Sequence, residues 1–374
     1  MNYKGKLRNI IIVIPSLSGG GAEKVAANIG NLFIKNGFEV SIICIYKKGN
    51  LSYKVDNDIN QVYLNSPKIS ASLLKLRKIL NEYNPSIVIS FLTITNIFIS
   101  LSRIFQKKKH LFIYTQHEIP SKTYNKIFKL SNSFIVPFLM KQTYKYADKI
   151  VCVSHGLENE LRQLFNNKIN HRITTIYNLV YKDKKNFIKK SYFNNGVSLL
   201  SVGRLVPNKN FKNIINAVNL LKEKIDFSLK IVGQGEQREK LLALIKKNNL
   251  EERCRIYDFV ENLSPFYSES DIYISSSLHE SFGNTLIEAM HYHMLIISTD
   301  CPYGPREILD NGNLGQLVSE NSPNELANAI LKAAKTKVIP NYKKIIIKCN
   351  PESILDKYIN LFEELQDPNR YKSF

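Results

Sequence analysis

Short stretches of unbroken apolar sequence, each followed by a longer amphipathic one, constrain this chain more than any other feature. Residues 9–15 (NIIIVIP), 39–46 (EVSIICIY), 86–91 (SIVISF), 110–115 (HLFIYT) and 149–153 (KIVCV) are apolar almost throughout instead of alternating with polar residues. A strand with one wet face alternates; a strand with none must be covered on both sides, as in parallel α/β sheets. A glycine-rich turn and a helix over 23–36 follow the first run. A polar, lysine-rich interval, residues 181–195 (YKDKKNFIKKSYFNN), then interrupts the pattern and reads as a linker. Beyond it a second series has strands expected at 197–202, 228–232, 255–257, 271–275 and 295–298, and helices at 210–224, 236–248, 285–292 and 323–336. Two βα series joined by one linker predict a two-lobed α/β protein, each lobe a doubly wound, Rossmann-like sheet. The length of 374 residues suits two domains. Ligands of such sheets bind beyond the carboxyl ends of the strands, so chemistry is sought just after each strand.

The formal charge of +20 is unevenly distributed. Residues 1–190 carry 30 Lys and Arg against 10 Asp and Glu, whereas residues 191–374 carry 22 of each. The whole excess belongs to the first lobe, which points to an anionic partner there, a nucleic acid or a membrane surface, or else to a lysine-rich proteome. The five cysteines, at 44, 152, 254, 301 and 349, form no CxxC pair. A thiolate zinc site or disulfide scaffold is not indicated, and a reducing, cytosolic compartment is expected. The apolar run at 10–15 is too short for the core of a signal peptide. Residues 83–102 are uncharged but hold Asn84, Pro85, Thr93, Thr95, Asn96 and several serines, which predicts a buried strand followed by a helix and not a membrane span.

Three segments could carry chemistry. The first strand runs into Ser18-Gly19-Gly20-Gly21-Ala22-Glu23, where glycines let the backbone approach a ligand and a helix N-terminus offers N–H groups. A tight turn without a ligand explains it equally well, since neither a spaced dinucleotide fingerprint nor a P-loop lysine is present. The second lobe opens with Gly203-Arg204-Leu205-Val206-Pro207-Asn208-Lys209-Asn210; two cations at a strand end could neutralise a diphosphate, or could simply make surface ion pairs. The third segment, residues 275–289 (SSSLHESFGNTLIEA), passes from a strand through a loop with Glu280 into a helix carrying Glu288. Its loop would present backbone N–H groups and a positive helix end to an anion.

Together, GGGAE at 19–23, GRLVPNKN at 203–210, IVGQGEQREKL at 231–241, ESFGNTLIEA at 280–289 and GPREIL at 304–309 resemble, in order and spacing, the retaining glycosyltransferases of family 4. The resemblance implies the GT-B fold, with two lobes facing a cleft and a C-terminal helix crossing back to the first lobe. The expected domains are an acceptor-side domain at 1–185, a donor domain at 186–350 and the returning segment at 351–374. It also implies roles. Arg204 and Lys209 would hold the donor diphosphate, Glu280 would contact the transferred sugar and Glu288 the nucleotide ribose. Phe282, Gly283, Asn284 and Thr285 would contribute to the donor site, and Gly19, Gly20 and Gly21 would close over the diphosphate. His117, in Thr115-Gln116-His117-Glu118, matches a histidine near the reacting sugar, or is a free surface histidine. The implied enzyme is a metal-independent, retaining hexosyltransferase that uses a UDP-sugar and no cofactor, with front-face attack and no covalent role for Glu280.

Several features are decoys or alternatives. Asp56-Asn57-Asp58 has the DxD spacing of metal-dependent transferases but reads as a solvated loop. His291 and His293, two apart on a helix, point to different faces; Gly233 and Gly235 read as a turn. Arg103, Lys107, Lys108, Lys109, Lys122, Lys126 and Lys129, beside the uncharged residues 130–140, would suit a membrane interface, or those residues are an ordinary core helix. A polyprenyl-diphosphate-linked glycan is anionic and membrane-bound, which would account for a basic acceptor lobe; the expected location is peripheral, on the inner face of the plasma membrane. CPYGPREIL is similar to members in O-antigen, capsule or protein-glycan assembly, some with N-acetylgalactosaminyl donors. A sugar-nucleotide 2-epimerase of the same fold and a non-catalytic nucleotide-sugar-binding partner are the alternatives. No nucleic-acid partner is expected.

Overall fold

The computed structural model describes residues 8–46, 53–65, 69–103, 110–123, 135–182, 193 and 196–367. The chain divides into two compact units, Met1–Leu179 with Asn350–Phe374, and Val180–Cys349.

The first unit is built on a seven-stranded parallel sheet of β1 (Asn9–Ile14), β2 (Glu39–Cys44), β3 (Asn60–Tyr63), β4 (Ile87–Phe91), β5 (Leu111–Gln116), β6 (Lys149–Cys152) and β7 (Ile173–Thr175). The strand order is β3-β2-β1-β4-β5-β6-β7. Ile10 to Ile14 of β1 and Ile87 to Phe91 of β4 are buried along their whole length, as uniformly apolar strands must be when helices cover both faces. Helix Gly21–Lys35 buries Val25, Ala26, Ile29, Leu32 and Phe33 against the sheet. Residues 83–102 become β4 and helix Thr93–Arg103, the strand and helix that their polar residues predicted. No helix among the described residues is long and apolar enough to cross a membrane.

Helix Pro351–Gln366 belongs to this unit. Its start is written locally: Asn350 accepts a hydrogen bond from the Ser353 N–H at 2.8 Å, and Pro351 takes the first helical position, where no N–H is needed. Its apolar side meets helix Gly21–Lys35, where the Phe33 ring lies 5.5 Å from Tyr358 and 5.7 Å from Phe362. Phe38 adds an edge contact to Phe362 at 6.0 Å.

The second unit holds β8 (Val197–Val202), β9 (Phe227–Val232), β10 (Cys254–Tyr257), β11 (Ile272–Ser275), β12 (Leu295–Thr299) and β13 (Gln316–Val318). They pair in parallel in the order β10-β9-β8-β11-β12-β13. Leu199, Ile214, Ile231, Ile274, Ile297 and Ile330 are at its core. In each sheet the strand order reverses once, between β1 and β4 and between β8 and β11, and it is beside such a reversal that α/β sheets open a binding crevice.

Three strands were not anticipated. β3, β7 and β13 are only three or four residues long, partly polar (NQVY, ITT, QLV) and at or near sheet edges, so they lack the apolar run that marks the interior strands. The helix expected at 210–224 stops at Asn219. Arg253 donates to the carbonyl oxygens of Lys222 and Ile225, which holds the following residues as a turn. The first boundary falls at Leu179, earlier than 185, because Val180 already donates its N–H to the Cys349 carbonyl at 3.0 Å in the second unit. Most of the expected linker lies outside the described residues.

Candidate active site

In the second unit the candidate donor residues converge at the carboxyl ends of β8 and β11, adjacent strands at the reversal. The loop after β8 carries exposed Arg204 and, at the end of the turn Pro207–Lys209, Lys209. The loop after β11 is stitched to it: Ser276 donates its hydroxyl to the Lys209 carbonyl at 2.8 Å, and Asn208 donates to the His279 carbonyl at 3.0 Å. The Leu278 N–H also donates to the Asn208 carbonyl at 2.8 Å. With both backbones tied, the Lys209 ammonium meets the Glu280 carboxylate in an ion pair that leaves each side chain about a quarter exposed or less. Ser277 donates to the same Glu280 oxygen at 3.4 Å.

A third loop, after β12, fixes Glu280 from the other side. The Glu280 N–H donates to Pro302, and its carbonyl accepts from Gly304 at 3.0 Å. Gly304 passes so close that a Cβ there would stand 2.0 Å from the Phe282 carbonyl oxygen, so only glycine fits. Phe282 is buried, and Gly283, at φ +105°, makes the left-handed turn that starts helix Asn284–His291. Asn284 and Thr285 therefore occupy the first helical turn, where a helix start directs backbone N–H groups outward in a way that suits a phosphate or hydroxyl oxygen.

Glu288 sits apart from Glu280, one helical turn further on and nearly buried. Its Oε2 accepts a hydrogen bond from Tyr267 at 2.8 Å. Ser277 and Asn208 lie in segments the sequence singles out, but Tyr267 belongs to the architecture of the site and is invisible in the sequence. It follows no strand and lies in no motif; only its three-dimensional meeting with Glu288 reveals it.

The remaining candidates are in the first unit. Gly19, at φ +115°, and Gly20 lead into helix Gly21–Lys35, with Gly20 at its N-cap. The Glu23 carboxylate folds back over Gly20, so the chain's own anion faces this helix start. His117 follows β5 and is not a free surface histidine. Its ring stacks on Phe91 at 5.2 Å, and its Nε2 is buried with no hydrogen-bond partner among the described residues. Burial pushes its pKa down to about 3, so the imidazole is neutral. Its neighbours are tightly held: Tyr144 donates to Gln116 at 2.8 Å, Gln116 donates to Thr93 at 2.8 Å, and Glu118 accepts from the Thr93 N–H at 3.0 Å.

Asp56 and Asp58 form a self-satisfied turn, as expected of a solvated loop. The Asp58 N–H donates to the Asp56 carboxylate at 3.2 Å, and the Asp56 N–H to Asn31 at 2.8 Å. Of the basic and apolar acceptor-side candidates, Lys107, Lys108, Lys109, Lys126 and Lys129 and residues 130–134 lie outside the described residues, and for Lys122 only the backbone is described. Within helix Ile135–Thr143, Val136 and Met140 are buried, while Ile135, Phe138 and Leu139 are exposed.

This arrangement of two parallel sheets recurs in solved glycosyltransferases. Superposition on Anabaena Alr3699/HepE in complex with UDP and glucose gives a TM-score of 0.79 at 16% identity, covering 95% of this chain and 99% of that one. A glycosyltransferase from Rickettsia africae gives 0.76 at 20% identity, covering 96% and 99%. In sequence, residues 19–184 match the family described as Glycosyltransferase Family 4, and residues 183–368 match Glycosyl transferases group 1. The chain is a GT-B glycosyltransferase of the family 4 type. This glycosyltransferase is 29% identical over 335 residues to a Campylobacter jejuni enzyme named N-acetylgalactosamine-N,N'-diacetylbacillosaminyl-diphospho-undecaprenol 4-alpha-N-acetylgalactosaminyltransferase, covering 86% of this chain and 88% of that one. It is 28% identical over 329 residues to the amylovoran biosynthesis glycosyltransferase AmsD of Erwinia amylovora, with the same coverage.

Proposed function

We propose that this glycosyltransferase moves a hexosyl or N-acetylhexosaminyl group, with N-acetylgalactosamine foremost, from a UDP-sugar to a polyprenyl-diphosphate-linked oligosaccharide in bacterial surface glycan biosynthesis. The observation that carries the donor half is the ion pair of Lys209 with Glu280 across two stitched loops at the strand-order reversal, with Arg204 exposed on the same loop as Lys209. The acceptor half is supported by the names of the two relatives, both of glycan assembly, one on a diphospho-undecaprenol carrier.

The chemistry follows from the leaving group. As the sugar–phosphate bond breaks, positive charge builds on the sugar and negative charge on the departing diphosphate. Arg204 and Lys209 stabilise that charge, and a single well-placed donor contributes about 3–4 kcal/mol to such a transition state. In this reading no metal is required. Glu280 anchors sugar hydroxyls, and we assign it no covalent role, which is consistent with front-face attack and retention. The neutral His117 can accept or donate a hydrogen bond to a sugar hydroxyl but brings no charge. The basic first half and the exposed Ile135, Phe138 and Leu139 suit peripheral binding to an anionic bilayer on the cytoplasmic face.

A donor screen with UDP-, GDP- and ADP-sugars in EDTA, using wild type, Glu280→Ala and Lys209→Ala, tests the reading. Release of UDP from one sugar, reduced 10²–10³-fold in both variants, is expected; transfer that needs an added divalent ion would overturn metal independence. Flotation with anionic vesicles at low salt tests the membrane half, which fails if the protein stays at the bottom of the gradient.

A further inference from the structure

Glu288 is nearly buried, and a carboxylate in that position needs a donor. Tyr267 supplies one from below. It lies in the helical turn Ser264–Ser268, is 2% exposed, and donates its hydroxyl to Glu288 Oε2 at 2.8 Å. Its ring is fixed as firmly as its hydroxyl. It stacks on Tyr292 at 5.4 Å and 19°, and lies against Tyr273 at 6.1 Å. Tyr273 in turn donates to the Val202 carbonyl at the end of β8, at 3.3 Å. The phenol is therefore held between the helix that carries Glu288 and the strand that leads to Arg204. Burial raises its pKa well above the ordinary tyrosine value, so it remains a donor throughout the working pH range.

A carboxylate has about four acceptor positions, so one tyrosine donor orients it without exhausting it. Side chains on a helix lean toward its N-terminus, and for Glu288 that is the Gly283–Thr285 end. We propose that Tyr267 is a positioning residue for the donor nucleotide: it locks the Glu288 carboxylate in the rotation that accepts the vicinal hydroxyls of the ribose. The proposal rests on the reading of Glu288 as the ribose contact.

Calorimetry with UDP and 2′-deoxy-UDP tests it on wild type, Tyr267→Phe, Glu288→Ala and the double variant, each checked for folding by circular dichroism. Tyr267→Phe keeps the ring stack and removes only the oxygen. UDP affinity is expected to fall about tenfold, as for the loss of a hydrogen bond to a charged group, with the deoxy analogue, which keeps only the 3′-hydroxyl, affected less. In turnover, donor KM rises while kcat stays within about twofold, a split that a merely structural role would not produce. In the Glu288→Ala background, Tyr267→Phe changes nothing further. If the phenylalanine variant does not fold, Tyr267→Met fills the same space without a hydroxyl, with the same expected results. Wild-type UDP affinity and discrimination in Tyr267→Phe, or losses that add in full in the double variant, overturn the positioning role alone. Wild-type affinity and discrimination in Glu288→Ala overturn the ribose reading and the proposal with it.

Discussion

At the scale of single residues, the fold decides charge states that composition leaves open. His117 would titrate near pH 6.5 on an unfolded chain, but in its place on Phe91 the pKa is about 3. Between those values the unfolded chain binds a proton that the folded chain does not, so stability is complete above about pH 6.5 and is lost as pH falls. The slope from this residue is up to about 1.4 kcal/mol per pH unit. Urea titrations at several pH values should show that component missing in His117→Phe. Glu280 and Lys209 lead to a second expectation. They neutralise each other, so in the proposed role of Lys209 an incoming diphosphate takes the ammonium from a carboxylate. Glu280→Gln removes that competing charge while keeping the shape. UDP should bind a few-fold tighter to this variant by calorimetry, while sugar transfer falls about 10²-fold.

At the scale of elements, ESFGNTLIEA and GPREIL look like separate motifs in the sequence, and the structure makes them one support. Glu280 and Tyr303 form a parallel bridge, and Gly304 lies under the Phe282 carbonyl. Gly304→Ala would force a methyl group against backbone that cannot yield cheaply. A loss of about 1–3 kcal/mol is expected, read as a lowered Tm, together with weaker UDP binding because the displaced loop leads into the helix start at Asn284 and Thr285. The interior strands, the helix at 323–336 and the loops after β8 and β11 were legible because apolar runs and glycines record burial and tight turns directly. The edge strands β3, β7 and β13 were not, since half-exposed edges need no apolar run. Tyr267 was illegible for a different reason: a tyrosine in a short connection has no local signature of the carboxylate it meets 21 residues away.

At the scale of the molecule, two compact units should behave as two cooperative blocks. Phe362, on the returning helix, is fully buried among Phe33, Phe38 and Tyr358, so Phe362→Ala should cost about 3–5 kcal/mol. Calorimetry should show that loss in one unfolding transition only. UDP, which the proposal assigns to residues of the second unit, should raise the other transition by a shift that grows with its concentration. A single transition displaced equally by both would mean that the blocks unfold together.

Periodicity and charge in the sequence alone gave the expectation of two parallel α/β sheets joined by a linker at 181–195, with a strongly basic first half, because burial and solvation act on residues one at a time along the chain. The motifs added which strand ends carry the candidate site. Only the tertiary structure decided that Lys209 rests on Glu280, that Tyr267 holds Glu288, that His117 is neutral and that Gly304 seats the Phe282 loop. Each of these depends on a contact between residues far apart in sequence, where distance and the exclusion of water, not residue type, set the energy.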